Sequence, residues 1–182
     1  TAFYLGAKSV NPDVTMDIMY TNSWNDPTVE SQVAKALIER GCDVVSQHSD
    51  STAPATTAEE YGAFQVGYNN DMIEAAPKAS LISARIDWGI YVTDAVQAMI
   101  DGKEIPVDWC KGLKDGAVYL SPLNTDIAAE GTQEAIDKAT KALEAGEIHV
   151  FDGPLKGTSP DGETIEVAEG RSEERRVGKE CR

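Results

Sequence analysis

Basic side chains are scarce here, and their scarcity removes the first class of partner. The chain has 16 Lys and Arg against 31 Asp and Glu, a net charge of −15. Five of the 16 basic and three of the 31 acidic residues fall in 171–182, so the remainder carries 11 against 28, a net −17. Such a chain repels a phosphate backbone, which excludes nucleic acid as a partner. No apolar run approaches the ~20 residues that cross a bilayer. Cysteine is nearly absent, with Cys42 and Cys110 far apart and Cys181 close to the C-terminus. No Cys/His spacing fits zinc. Cys42 reads as a small buried hydrophobe; pairing of Cys42 with Cys110 in an oxidising compartment stays open. Glycine-rich phosphate loops are missing too: Gly67-Tyr68-Asn69-Asn70 is not a dinucleotide fingerprint, and no Walker pattern or Gly-x-Ser-x-Gly elbow occurs.

What remains is 182 residues, 41% hydrophobic, enough for a globular core. Thr1–Lys8 reads as the tail of an amphipathic helix without an initiating Met, as though the chain were cut at the front. Residues 171–182 lack any apolar period and resemble the in-frame translation of a sequencing adapter, so they are read as non-native and set aside.

Between these ends strands alternate with helices. Val14–Tyr20 alternates and is rich in β-favouring residues, which predicts a strand. Asp26 then caps a helix with Pro27 in its first turn, an apolar face at Val29, Val33 and Leu37, and a stop at Gly41. Further strands are expected at 43–48, 63–68 and 79–86, with a short helix from Pro54 to Tyr61 ended by Gly62. A long helix from Asp87 to Ile100 follows, then one at about 128–145. Short runs at 116–120 come between them. Ile148–Phe151 and Thr164–Val167 read as the arms of a hairpin. Such alternation predicts an α/β domain, a parallel sheet covered on both faces.

Polar residues fall where a ligand would meet that sheet. Asn22, Trp24 and Asp26, then His48 and Asp50, then Asn69 and Asp71, then Arg85, Asp87 and Trp88 each follow the carboxyl end of a successive strand. Parallel strands bring four such loops to one edge. Two indoles among carboxylates and amides suit a flat, neutral, hydrogen-bonding molecule. Each residue has a plainer reading: Trp24 packed on its own helix, Asp26 and Asp87 as helix caps, Asp71 as a turn former, His48 as core. Catalysis is weakly supported. His48 and Asp50 are too near in sequence to meet as base and orienter, though a carboxylate rim of Asp26, Asp50, Asp71 and Asp87 could bind Mg²⁺.

Several of these runs together, in order, resemble the basic-membrane-protein family: Asn22-Ser23-Trp24-Asn25-Asp26-Pro27, then Ala36 through Asp50, then Gly67-Tyr68-Asn69-Asn70-Asp71, then Gly112-Leu113-Lys114-Asp115-Gly116. The family comprises purine-nucleoside-type substrate-binding lipoproteins of ABC importers. The resemblance spans about residues 1–168. It implies a type I periplasmic-binding-protein fold, two Rossmann-like three-layer lobes closing on a ligand. Residues 1–170 would be mostly the second, C-terminal lobe, with the N-terminal lobe missing. It implies no enzyme activity and no cofactor. Its partners would be a purine and the permease subunits, with extracytoplasmic or periplasmic placement and a lipid anchor on the full-length protein. Trp24 would stack on the purine, and Asp71 would contact it, with Asn22, His48, Asp50, Asn69, Arg85 and Trp88 around them. His48-Ser49-Asp50-Ser51 stands where a small Gly-rich turn is common, and Trp24 where Phe is. Both changes crowd the pocket and favour a base such as adenine over a nucleoside. A sugar-binding lobe and a metal-assisted hydrolase are the alternatives.

Overall fold

A computed structural model of the chain describes residues 1–159 and 161–172, so most of the adapter-like segment, with Cys181, lies outside the described residues. The described chain divides into two units, one of Asp17–Ala135 and one of Thr1–Met16 with residues from Ile136 onward.

The larger unit begins with α2 (Pro27–Glu39), following α1 (Ala2–Val10) of the other unit. Asp26 caps α2 as expected, its Oδ1 accepting from the Val29 N–H at 3.1 Å, and Pro27 sits at the first turn. Gly41, at φ 99°, ends it. The stripe that α2 buries is Glu30 and Ala34, one position on from the expected Val29, Val33 and Leu37, which are half-buried. α3 (Ala53–Tyr61) closes on Gly62 at φ 74°. The strands are β1 (Val44–Ser46), β2 (Phe64–Asn69), β3 (Ser80–Ile86) and β4 (Val118–Leu120), in the order β1-β2-β3-β4. β1, β2 and β3 are parallel, and β4 adds an antiparallel edge beside β3. A mixed edge of this kind is common on otherwise parallel sheets.

The core is made of small residues. Ala55 and Ala58 of α3 meet Ala63, Met72, Ala76 and Ala79, with Ile38 of α2 packed against them. With so little side-chain bulk, backbones approach closely. A Cβ on Gly67 of β2 would collide with the Ser83 hydroxyl of β3, so the strand pair needs glycine there. Between Gln65 and Val66 the β2–β3 register skips one residue, a bulge at Leu81. Asn124 braces this stretch: its side-chain amide donates to the carbonyls of Pro77 and Ser80 at 2.8 and 2.9 Å, and its N–H donates to that of Leu81.

Two expectations fail. Val14–Tyr20 forms no strand: it finds no ladder partner among the described residues, and Ile18 and Tyr20 are exposed. Alternation alone cannot make a strand without a neighbour to bond. In the smaller unit the hairpin is β5 (Leu155–Thr158) with β6 (Thr164–Val167), not Ile148–Phe151 with 164–167. The near arm wins because a short loop, tightened by Ser159 accepting from Gly162 and donating to Glu163, closes at less entropic cost than a long one.

α4 (Trp88–Ile100), capped by Asp87 as expected, has no buried residue. α5 (Thr132–Ala145) starts four residues later than expected and spans the boundary between the units.

Candidate functional site

The carboxyl ends of β1, β2 and β3 share one edge because the three run parallel, and the loops leaving them lie within the larger unit. Asn22 takes a left-handed φ of 54°, a conformation asparagine tolerates better than most residues, and turns the chain into α2. Trp24 follows, with 70% of its surface exposed, so it does not fold back onto its helix. Its carbonyl instead accepts from the Asp50 N–H at 2.7 Å, joining the first loop to the second.

His48 and Asp50 lie on the loop after β1 and are both exposed, so the core reading of His48 falls away. The imidazole stands 4.9 Å from the Tyr68 ring, tilted by 44°. Tyr68 belongs to β2, so this contact links the second loop to the third. Asn69 ends β2 at φ 62° and lies opposite Arg85 in the β2–β3 register. Asp71 is half-buried and its Oδ1 accepts from the Ile73 N–H at 3.0 Å, so the turn-forming role is present. Arg85 lies across from Tyr119 of β4, its guanidinium 5.2 Å from that ring, and its buried Nε has no hydrogen-bond partner among the described residues. Trp88, the first residue of α4, is 62% exposed, and Asp87 Oδ1 accepts from the Gly89 N–H at 2.8 Å.

The structure thus links the first two loops directly, the second and third through His48 and Tyr68, and the third and fourth through Asn69 and Arg85. The carboxylate rim does not gather. Among the described residues no three His, Cys, Asp or Glu side chains are grouped to hold a metal ion. Asp26 and Asp87 are occupied as caps and Asp71 by its turn. Cys42 and Cys110 are free thiols, the first half-buried and the second exposed. Burial raises the Cys42 thiol above its usual range, and the nearby Asp17 and Asp43 carboxylates add to that.

Sequence reasoning missed Glu30, Gln47, Tyr68 and Tyr119, and read Ser49 and Ser51 only as part of the His48–Ser51 run at the ligand edge. Glu30 had one local signal. It lies one position beyond the place where a capping box puts its glutamate, and its Oε1 accepts from the Asp26 N–H at 2.9 Å in the same returning manner. The tyrosines sit on strands, where an aromatic reads as ordinary sheet packing.

A parallel α/β lobe with aromatic and amide side chains on the loops at the strands' carboxyl edge has the form of a small-molecule-binding lobe. Three solved structures share the fold. A solute-binding protein of an ABC transporter system from Conexibacter woesei matches with TM-score 0.61 at 20% identity, over 80% of this chain and 49% of that one. One from Aeropyrum pernix matches with TM-score 0.62 at 17% identity, over 88% and 52%. A transcriptional activator of the comK gene from Bacillus halodurans matches with TM-score 0.69 at 20% identity, over 79% and 50%. The chain belongs to the Bmp family of PnrA-like ABC transporter substrate-binding proteins, whose family model matches residues 1–150. A purine-binding protein of Brucella abortus is 36% identical over 157 residues, 85% of this chain and 44% of that protein. TsgA13 of Haloferax volcanii, provisionally described as the glucose-binding protein of an ABC transporter, is 33% identical over 130 residues, 71% of this chain and 33% of its own length. The chain therefore spans less than half the length of these two curated relatives. The family consists of binding proteins rather than enzymes, and the substrate-binding proteins of ABC importers work outside the cytoplasm. Among the described residues no helix is long and apolar enough to cross a membrane.

Proposed function

We propose that this chain supplies one wall of a cleft that captures a purine base, adenine-like rather than a nucleoside, for an ABC importer. Residues 1–170 correspond in this reading mostly to the second lobe of a type I periplasmic binding protein. A first lobe brings the opposing aromatic, and hinge closure buries the ligand and shapes the surface a permease recognises. Membrane attachment comes through a lipid anchor of the full-length protein or through the permease.

The observation that carries the reading is the exposed indole of Trp24, held at the strand edge by its carbonyl's bond from Asp50. Stacking on a flat ring is what such a side chain can do at low conformational cost. Around it, Asn22, His48, Asp50, Asn69 and Asp71 offer donors and acceptors to the ligand's polar edge. Asp71 has one carboxylate oxygen engaged by Ile73 and accepts through the other. Arg85 and Trp88 border the far side. The bulk of His48 and Trp24 leaves little room for a ribose, which favours the free base. The Brucella relative, named as purine-binding, supports the same ligand class.

A sugar is the second reading, supported by the description of TsgA13. Both are tested on protein expressed from the gene's full open reading frame, without residues 171–182. Thermal-shift and calorimetric titrations with adenine, guanine, adenosine, guanosine, ribose, glucose and Mg²⁺ separate them. Stabilisation by a purine base, of about 2.7 kcal/mol at a hundredfold excess over Kd, and its loss in Trp24→Ala support capture. A flat response to every purine with a shift from a sugar moves the second reading forward.

A further inference from the structure

Glu30 has no role in the chemistry described so far, yet it is 1% exposed and is the one ionisable side chain among the buried described residues. Burying a carboxylate is costly unless its lone pairs are met. No Lys, Arg or His forms an ion pair with it among the described residues. It is satisfied by hydrogen bonds alone. Oε1 accepts from the Asp26 N–H at 2.9 Å, and Oε2 accepts from the Ser49 hydroxyl at 2.9 Å and from the Ser51 hydroxyl. Those donors sit on two different loops, the one that presents Trp24 and the one that presents His48 and Asp50.

The serine loop is also held from beneath. Gln47, itself buried, donates through Nε2 to the carbonyls of Ser49 and Ser51 at 2.9 and 2.8 Å. Its Oε1 accepts from Gln65 Nε2 in the interior of β2 at 3.0 Å. Ser51 Oγ further accepts from the Ala53 N–H at the start of α3. An apolar side chain would fill the space at Glu30 with less desolvation cost, so packing alone does not call for a carboxylate. What a carboxylate adds is three directed acceptor bonds to two segments more than twenty residues apart.

We infer that Glu30 is a positioning residue of the ligand-binding edge, its buried carboxylate fixing the spacing between the Trp24 loop and the His48 loop. The inference rests on the capture reading for its effect on affinity, and on the geometry alone for its effect on the loops. Removing the carboxylate loosens both loops at once, leaving the bond from Asp50 to Trp24 as the direct tie between them among the described residues. Glutamine keeps the tie: its carbonyl accepts from the Asp26 N–H and its amide donates to the two hydroxyl oxygens.

The test uses the full-open-reading-frame protein in five forms: wild type, Glu30→Ala, Glu30→Gln, the pair Ser49→Ala with Ser51→Ala, and Ser31→Ala. Ser31 is the control, since its hydroxyl bonds Thr57 at 2.5 Å and ties α2 to α3 without touching either loop. Amide hydrogen exchange and adenine affinity are read on each. Glu30→Ala and the serine pair should speed exchange at Trp24–Asp26 and Ser49–Ser51, and weaken adenine, by about tenfold or more, as expected for losing one charge-assisted hydrogen bond. Glu30→Gln should recover most of both effects. Ser31→Ala should lower thermal stability with adenine affinity unchanged. Equal loop exchange in Glu30→Ala and Ser31→Ala at matched stability overturns the inference. So does Glu30→Gln behaving like Glu30→Ala. If Glu30→Ala does not fold, the serine pair decides by the same readings. If wild type binds no purine, the capture reading fails, and the exchange measurements alone judge the tie.

Discussion

Asp50 donates its backbone N–H to the carbonyl of Trp24 at 2.7 Å, so the residue that presents the exposed indole is held by a neighbouring loop rather than by its own helix. The side chain is thereby left free while its backbone is fixed. Trp24→Ala should cost binding and leave folding almost untouched. Stacking of a base on an aromatic is worth about 1–3 kcal/mol, whereas truncating a side chain that is 70% exposed should move stability by no more than about 0.5 kcal/mol. Calorimetry with adenine, set beside a urea melt of the same variant, checks both halves.

Gly67→Ala should act in the opposite way. The added methyl would land on the Ser83 hydroxyl where β2 and β3 approach most closely. Overpacking of this kind costs about 1–3 kcal/mol. Ser83→Ala in the same chain should return part of that loss by removing the obstructing oxygen. Denaturant midpoints of the single and double variants measure the coupling.

Asp94 offers a pH test away from the binding edge. Its Oδ2 accepts from Lys111 Nζ at 2.6 Å and from Trp109 Nε1 at 2.9 Å, fastening residues 109–111 to α4. The Lys111 bond first, and the Trp109 bond second, hold its carboxyl below the usual range. A carboxylate with a depressed folded value stabilises fully above the ordinary value of about 4, and that contribution disappears as pH falls through the lower folded value. Asp94→Asn should therefore flatten the acid limb of the stability profile below about pH 4 and leave its shape at neutral pH unchanged. It should also speed proteolysis between α4 and residue 112. Thermal melts from pH 2 to 7 and limited proteolysis read the two effects.

The two free thiols in the larger unit should react at different rates. Cys42 is half-buried and its thiol is pushed up by burial and by Asp17 and Asp43, whereas Cys110 is exposed. Because the thiolate is the nucleophile, alkylation at pH 7 should reach Cys110 well before Cys42. Peptide mapping over a time course gives the order.

The elements legible in the sequence are those punctuated locally. Asp26 with Pro27, Asp87 before Trp88, and glycines at 41 and 62 mark helix ends whose dihedrals and caps are as expected. The parallel strands and their common edge followed from the alternation of elements. What was hidden depends on partners far along the chain. Val14–Tyr20 has a strand's pattern and, among the described residues, no ladder to join. The first arm of the hairpin was misplaced because loop closure, rather than β-propensity, selects it. Glu30 went unremarked, since its bonding partners at Ser49 and Ser51 lie about twenty residues on and no local spacing announces them. For the same reason the buried stripe of α2 is centred on Glu30 and Ala34: a satisfied carboxylate can face inward where an apolar side chain was expected.

β1 has only three residues and forms the outer strand of its sheet. Along that flank the main-chain amides and carbonyls have no ladder among the described residues, which is the template by which one copy of a protein adds to another. Two features of the chain oppose such addition: the strand is too short to recruit a long partner, and a net charge of −15 keeps copies apart. The second safeguard is electrostatic and fades within about 10 Å at 0.1 M salt. The molecule's colloidal behaviour is thus tied to ionic strength, with dilute buffer protecting an open strand that concentrated salt exposes to its neighbours.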